Sequence, residues 1–335
     1  MALPSDPAPK GFTWPNGAKL ALSIVVNVEE GAERRIDEGD KRPEPVDELG
    51  AVPGKPIRIH GNESNYQYGI NRGAPRILKL LDKARMKATW TVCGQALEKA
   101  PWLAQAIVDR GDEPCNHGHK WAFTAFMDEA EETDFIKRGT DSIAQTCGRK
   151  PVGWLSRYLH TDITRRILKE QGYLYHMDDY SDDFPYWADV EMKDGSSEPM
   201  VILPYAIDSN DMKFWLSPSF TPDMWLQYAK NTFNWLHREA QEEGARMMSL
   251  GLHLRIIGRP GRIDADDKGV VERAVRQPGR ERVIEKPVRG QKPRCQRAVD
   301  QQQQYAREAQ CDQASSFLVR AGVQVVQVPV PGGKV

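Results

Sequence analysis

The sequence predicts an α/β fold built on a mostly parallel sheet. Two observations carry this. Apolar runs of strand length alternate with segments of helical periodicity from Leu20 to Leu254, and residues able to do chemistry recur where those strands end. In addition, a chain of 335 residues is long enough to bury a barrel-sized core.

The first strand is Leu20 to Val26, apolar and β-branched, running into Asn27-Val28-Glu29-Glu30-Gly31 as a buried strand runs into a polar loop. From Ala74 to Met86 the residues Ile77, Leu78, Leu80, Leu81 and Ala84 recur at helical spacing, and Ala88 to Val92 reads as the next strand. Pro101 opens a helix to Arg110, at a position where its missing backbone donor does no harm, and Gly111 ends it. Helices follow near Asp128 to Gln145, Asp162 to Glu170 and Pro222 to Glu243. Strands follow near Val152 to Leu155, Tyr173 to Met177, Met200 to Leu203 and Met247 to Leu254. Such alternation implies a parallel sheet, open or closed, whose working residues sit at the carboxyl ends of the strands. Glu29, Glu30, His117 and His253 each follow or close a strand, so a common pocket is expected.

After Arg262 the composition shifts. Asp264 to Arg307 is charged, poor in large apolar residues and carries Gln301 to Gln304, so it is expected to be a disordered tail. Val323 to Val330 could form an edge strand, while Pro329 and Pro331 argue against a central one.

Lys plus Arg (46) and Asp plus Glu (47) nearly cancel, which gives no reason to expect a nucleic acid or an anionic membrane as partner. A small neutral substrate is compatible with this balance, and a homo-oligomer stays open. The cysteines Cys93, Cys115, Cys147, Cys295 and Cys311 are odd in number and scattered, forming neither a disulfide framework nor a paired-thiol metal motif. Residues 1–15 lack the basic and apolar regions of a secretory signal, and Leu20 to Val26 is too short to span a bilayer, so a cytoplasmic protein is expected.

Adjacent carboxylates after a strand can divide labour, one acting as base while the other binds a cation or orients a partner. Alone, Glu29-Glu30 reads more readily as a solvated acidic loop. The imidazoles of His117-Gly118-His119 could bind metal or shuttle protons, or simply hydrogen-bond within a loop. A lone histidine ending an apolar strand, as His253 does, is more often structural than catalytic. Its weight here comes from company.

With Asn27-Val28-Glu29-Glu30-Gly31, Glu113-x-x-x-His117-Gly118 and Gly251-Leu252-His253-Leu254-Arg255 in order, the chain resembles the polysaccharide deacetylase superfamily, also called the NodB-homology or carbohydrate esterase family 4 group. It is most similar to the branch holding metal-independent allantoinases and cyclic-imide hydrolases. The resemblance covers about residues 11–262, leaving 263–335 as a disordered or non-family tail. It includes Trp14-Pro15-Asn16-Gly17, Glu63 with Tyr68-Gly69-x-x-Arg72-Gly73, Ala88-Thr89-Trp90 and Pro151-Val152-Gly153-Trp154. Asp182-Asp183-x-Pro185-Tyr186-Trp187 and Gly258-Arg259-Pro260-Gly261-Arg262 complete it.

The resemblance implies a distorted (β/α) barrel of about seven or eight parallel strands. It also implies hydrolysis of a carbon–nitrogen bond in a small amide, cyclic imide or ureide, or of an N-acetyl group on a sugar. By position, Glu29 stands for the superfamily's Asp base, Glu30 for its metal-binding Asp, His117 for its first metal histidine, and His253 for the histidine that protonates the leaving nitrogen. Glu63, Tyr68, Arg72, Trp121, Trp154, Asp182, Asp183, Trp187 and Arg255 are the substrate-binding candidates. An aromatic platform could be drawn from Tyr66, Tyr68, Trp121, Tyr186, Trp187 and Trp215.

Two departures matter. The second metal histidine is replaced by Trp121, so a zinc site would rest on Glu30 and His117, with His119 as a substitute ligand, and is not complete at the matched positions. In place of a Gly-Arg-Thr type loop the chain has Leu155-Ser156-Arg157-Tyr158-Leu159-His160, where Arg157 and His160 could touch substrate or lie on the surface. The alternatives are a chitin or oligosaccharide N-deacetylase, and an inactive relative that binds a ligand or partner. The family's closing helix and Trp-containing segment have no counterpart after Arg262, as an altered end from a shifted frame or retained intron would produce.

Overall fold

The computed structural model describes Phe12, Trp14 and residues 17–45, 51, 54–216, 219–267 and 326–327. Its strands are β1 (Leu20–Val28), β2 (Thr89–Val92), β3 (Glu113–Asn116), β4 (Gly153–Trp154), β5 (Tyr175–His176), β6 (Tyr186–Glu191), β7 (Ser197–Ile202) and β8 (Arg246–His253). They form one sheet in the order β6-β7-β5-β4-β3-β2-β1-β8, parallel throughout except for the antiparallel β6–β7 pair. The sheet curls into a distorted half-barrel. Loops after β5 and β7 then reach the far strand: Met247 N–H donates to Asp183 O (2.8 Å) and Gly251 N–H to Ser209 O (3.1 Å).

Every residue of β1 is buried, because helices cover one face and the barrel interior the other. Alternation sorts its side chains. Leu20, Leu22, Ile24, Val26 and Val28 pack outward under helices α2 (Ala74–Ala84), α4 (Pro101–Asp109) and α7 (Pro222–Glu242). Ala21 and Val25 point inward with Cys115, Tyr175, Val201 and Met247. A third cluster packs Trp154, Tyr173 and Met200 under α5 (Glu129–Cys147) and α6 (Asp162–Glu170). Register links Asn27 to both Thr91 and His253, and Thr91 to Cys115, so one inward layer crosses β8, β1, β2 and β3. Glu29 and His117 stand one inward position above it.

Helix α6 follows the sequence pattern to the residue, whereas α2 ends at Ala84, before the expected Met86, because Arg85 adopts a left-handed φ of 55° and caps it. α3 (Gly94–Lys99) and β6 were not expected. β6 is mostly half-buried and mixes aromatic, apolar and acidic residues, and the start of β7 is exposed, so no buried strand pattern marks them; Asp194-Gly195 at the turn, with Gly195 at φ 80°, was the available signal. β3 tolerates Pro114 inside the sheet. Glu113 and His117 donate backbone N–H groups to the β2 side, so residue 114 faces β4, which pairs with β3 only at Asn116.

Helix α8 (Pro260–Asp267) crosses the boundary expected at Arg262. Beyond α8, only Val326–Gln327 (β9) of the expected tail lies among the described residues. It pairs antiparallel with β1 alone, at Ala21 and Leu22, and so lies as an edge strand in the space that β2 leaves by joining β1 only from Val25 onward. The prolines at 329 and 331 lie outside the described residues. Among the described residues no helix is long and apolar enough to cross a membrane.

Candidate active site

The inward residues at the carboxyl ends of β1, β3 and β8 enclose a cavity of about 30 Å³, floored by Asn27 and Tyr205 and mouthed by Tyr158 and Tyr180. The floor is tied down. Asn27 Oδ1 accepts from Thr91 Oγ1 (2.7 Å), its Nδ2 donates to Tyr205 Oη and Leu252 O (3.1 Å each), and Asn210 Nδ2 donates to Tyr205 Oη (2.9 Å).

Glu29 is 1% exposed and sits between two cations. Arg255 Nη1 lies 2.6 Å from its Oε2, and His253 Nε2 lies 3.3 Å from its Oε1. Burial pushes the Glu29 carboxyl up, but Arg255 and then His253 outweigh it and hold the group well below the usual carboxylate range. On its other side, His253 Nδ1 lies 2.6 Å from Asp211 Oδ1, while Asp211 Oδ2 accepts backbone N–H bonds from His253 (2.7 Å) and Ile257 (3.1 Å). Burial lowers the His253 pKa, and the carboxylates of Asp211 and Glu29 reverse this and lift it to about 10. The result is a line of carboxylate, imidazolium and carboxylate: Glu29, His253, Asp211.

Asp211 was not singled out from the sequence. Its local signal was the helix cap at Asn210, whose side chain accepts from Met212 N–H, while its partner His253 lies 42 residues away.

Glu30 points to the opposite face of β1. Its Oε2 accepts from Glu29 N–H (3.1 Å) and its Oε1 from Arg255 N–H (2.9 Å). Burial, eased by Arg255 and reinforced by Glu29, raises Glu30 to about 7. Backbone fits around it closely: a Cβ on Gly69 would come within 2.6 Å of the Glu30 carboxyl, and one on Gly73 within 2.0 Å of Leu254 O. These contacts explain the Gly69-x-x-x-Gly73 spacing.

His117 Nδ1 donates to Leu155 O (2.6 Å), since a carbonyl can only accept, which leaves Nε2 facing Glu29 Oε1 at 3.7 Å. That gap is too long for a direct bond and suits a bridging water. These residues do not fit a divalent metal. Both Glu30 oxygens are taken by N–H donors, Trp121 stands in place of a ligand, and the fixed cation is Arg255, ringed by Tyr66 (4.4 Å), Trp121 (5.2 Å) and Trp215 (5.3 Å). His119 is turned away, with Nε2 3.2 Å from Glu98. Among the described residues no group of three or more His, Cys, Asp or Glu side chains is placed to hold a metal ion.

The structure thus brings Glu29, His117, Trp121, His253 and Arg255 together, with Glu30 against Arg255. Other candidates lie elsewhere. Glu63 pairs with Arg58 (2.8 Å) and Arg35 (3.3 Å), Tyr68 stacks on Arg259 (3.7 Å), and Arg72 is exposed. Trp154 packs on the outer face of the sheet against Phe135 and Tyr173, and Trp187 packs with the inward cluster from β6. Asp182 and Asp183 line a separate cleft of about 380 Å³ beside α7, with Tyr228 and Trp235. Of the expected aromatic platform, Tyr66, Trp121 and Trp215 gather around Arg255; Tyr68, Tyr186 and Trp187 do not. His160 packs edge-on against His176.

Residues 64–176 match the family described as polysaccharide deacetylase. A Schizosaccharomyces pombe protein named "Putative polysaccharide deacetylase" is 34% identical over 264 residues, covering 74% of this chain and 82% of that protein. The crystal structure of a probable polysaccharide deacetylase from Pseudomonas aeruginosa PAO1 is 35% identical, with a TM-score of 0.72 over 78% of this chain and 86% of that one. PuuE allantoinase is also 35% identical, with a TM-score of 0.71 over 80% and 90%.

Proposed function

The chain belongs to the polysaccharide deacetylase family, and on that premise we propose that it hydrolyses the carbon–nitrogen bond of a small amide, cyclic imide or ureide at Glu29 and His253. The observation that carries this is His253 Nε2 3.3 Å from Glu29 Oε1, both side chains buried and lining one cavity, with Arg255 holding the Glu29 carboxyl low and Asp211 holding His253 high.

Glu29 accepts a proton from a water shared with His117 Nε2, and the water oxygen bonds to the substrate carbonyl carbon. The carbon–nitrogen bond then breaks as His253 Nε2 gives its proton to the departing nitrogen. Transfer of the captured proton from Glu29 to His253 across their 3.3 Å gap restores both groups. Asp211 keeps His253 oriented and charged, and Arg255 keeps Glu29 ionised while it waits. No step passes through a metal.

A narrow site is compatible with a small ring substrate. The cavity of about 30 Å³ holds one or two waters, and the side chains at its mouth, Tyr158 and Tyr180, are 44% and 43% exposed. The likeness to an allantoinase supports the same class.

The test is to incubate the purified protein with allantoin, succinimide and N-acetylglucosamine oligomers and follow products by NMR, with and without a strong chelator. Ring opening that survives chelation is expected. Acetate release from the oligomers with no ring opening would replace this reading with that of a sugar deacetylase.

A further inference from the structure

Arg157 comes from the loop that departs from the family pattern, yet it is 7% exposed and lines the Glu29 cavity. Its guanidinium lies flat on Trp121 (3.5 Å) and near Phe123 (4.3 Å). Nη1 donates to Trp121 O (2.7 Å) and Nη2 to Glu44 Oε1 (2.6 Å), which fixes the plane of the group. The third kind of donor is left over: Nε–H has no acceptor among the described residues.

A buried, charged donor without an acceptor is unfavourable, and binding sites are where such donors are kept for a ligand. The charge balance points the same way. Glu44 is shared between Arg157 and Arg34, whose Nε lies 2.9 Å from Oε2, so two guanidinium groups face one carboxylate. The excess positive charge favours an oxygen that carries partial or full negative charge.

We propose that Arg157 is a substrate-binding residue whose Nε–H holds a second acceptor oxygen of the substrate, apart from the carbonyl that Glu29-activated water attacks. This rests on the small-ring reading above and narrows it to molecules that carry two carbonyl or carboxylate oxygens. Tyr158, next in the chain and held at a left-handed φ of 60°, fixes the turn that carries the Arg157 side chain inward.

The test uses two rings that differ in one oxygen. Succinimide carries two carbonyls and 2-pyrrolidinone one. Binding to the full chain is measured by saturation-transfer NMR, beside turnover. Wild type should bind succinimide about 10- to 100-fold more tightly, the usual worth of a hydrogen bond to a charged group. Arg157→Lys retains the charge opposite Glu44 and should erase the preference. In wild type, the Arg157 Nε–H resonance, identified by its loss in that variant, should move and resist exchange on addition of succinimide. This second readout needs no stable variant beyond that identification.

Equal binding of both rings by wild type, a preference that persists in Arg157→Lys, or an Nε–H signal indifferent to succinimide would each overturn the assignment. Selective binding without any hydrolysis would leave Arg157 in place and remove the hydrolase reading instead. No binding of either ring would remove both.

Discussion

Two buried glutamates face the same barrel interior and behave in opposite ways. Glu29, at the carboxyl end of β1, is held ionised; Glu113, at the start of β3, is raised to about 7. Burial pushes both upward. Glu113 is then met by neutral donors, Tyr175 Oη (2.8 Å) and Thr89 Oγ1 (3.0 Å), whereas Glu29 is met by Arg255 and His253. Burial met mainly by neutral donors therefore raises a carboxyl toward neutral pH, and close cations keep an equally buried carboxyl low.

The sharpest way to break this contrast is Glu29→Gln, which is expected to lower kcat on a ring substrate by about 10³- to 10⁴-fold with the fold intact by circular dichroism. Asp211→Asn should follow. His253 must be protonated to act, and its pKa of about 10 rests on Asp211, so the alkaline limb of the pH–rate profile should slide down from about 10 toward neutrality. A limb that stays in place would free His253 from this role.

Arg255→Met should make Glu29 resemble Glu113. A depressed carboxyl pKa adds stability above its unfolded value and loses it as pH falls through the folded one, so the variant should lose about 3–5 kcal/mol at neutral pH and recover part of that in acid. Melting temperature against pH checks it. Glu113→Gln should change turnover least. Because the folded pKa of Glu113 is raised, wild-type stability should fall as pH rises from the ordinary value through about 7. Glutamine should flatten that slope, a gain on the order of 3 kcal/mol or less at pH 8.

Legibility in the sequence followed burial. β1, β8 and α6 carry strong periodic patterns and were readable nearly to the residue. β6, half-buried and mixed in composition, carries no such pattern, and α3 is too short to show a period. In the site, Glu29, Glu30, His117 and His253 were legible as residues that follow or close strands, and Arg255 as a substrate-binding candidate. Asp211 was not, because its part depends on contact with a strand 42 residues away. Asp182, Asp183 and Trp154 shared the family motif but not the cavity, since a motif records order along the chain and not which face of the sheet a side chain takes.

By itself the sequence determined the alternation of strands and helices, the strand ends near which Glu29, Glu30, His117 and His253 stand, and the presence of Trp121 where the family resemblance implies a second metal histidine. These depend on local pattern and residue type. Only the tertiary structure decided that the Glu29 carboxyl is held low while that of Glu113 is raised, that Asp211 backs His253, and that Arg255 lies against both Glu29 and Glu30. Each of those depends on distances across the barrel, where strand register and the inward turn of alternate residues set which charges meet.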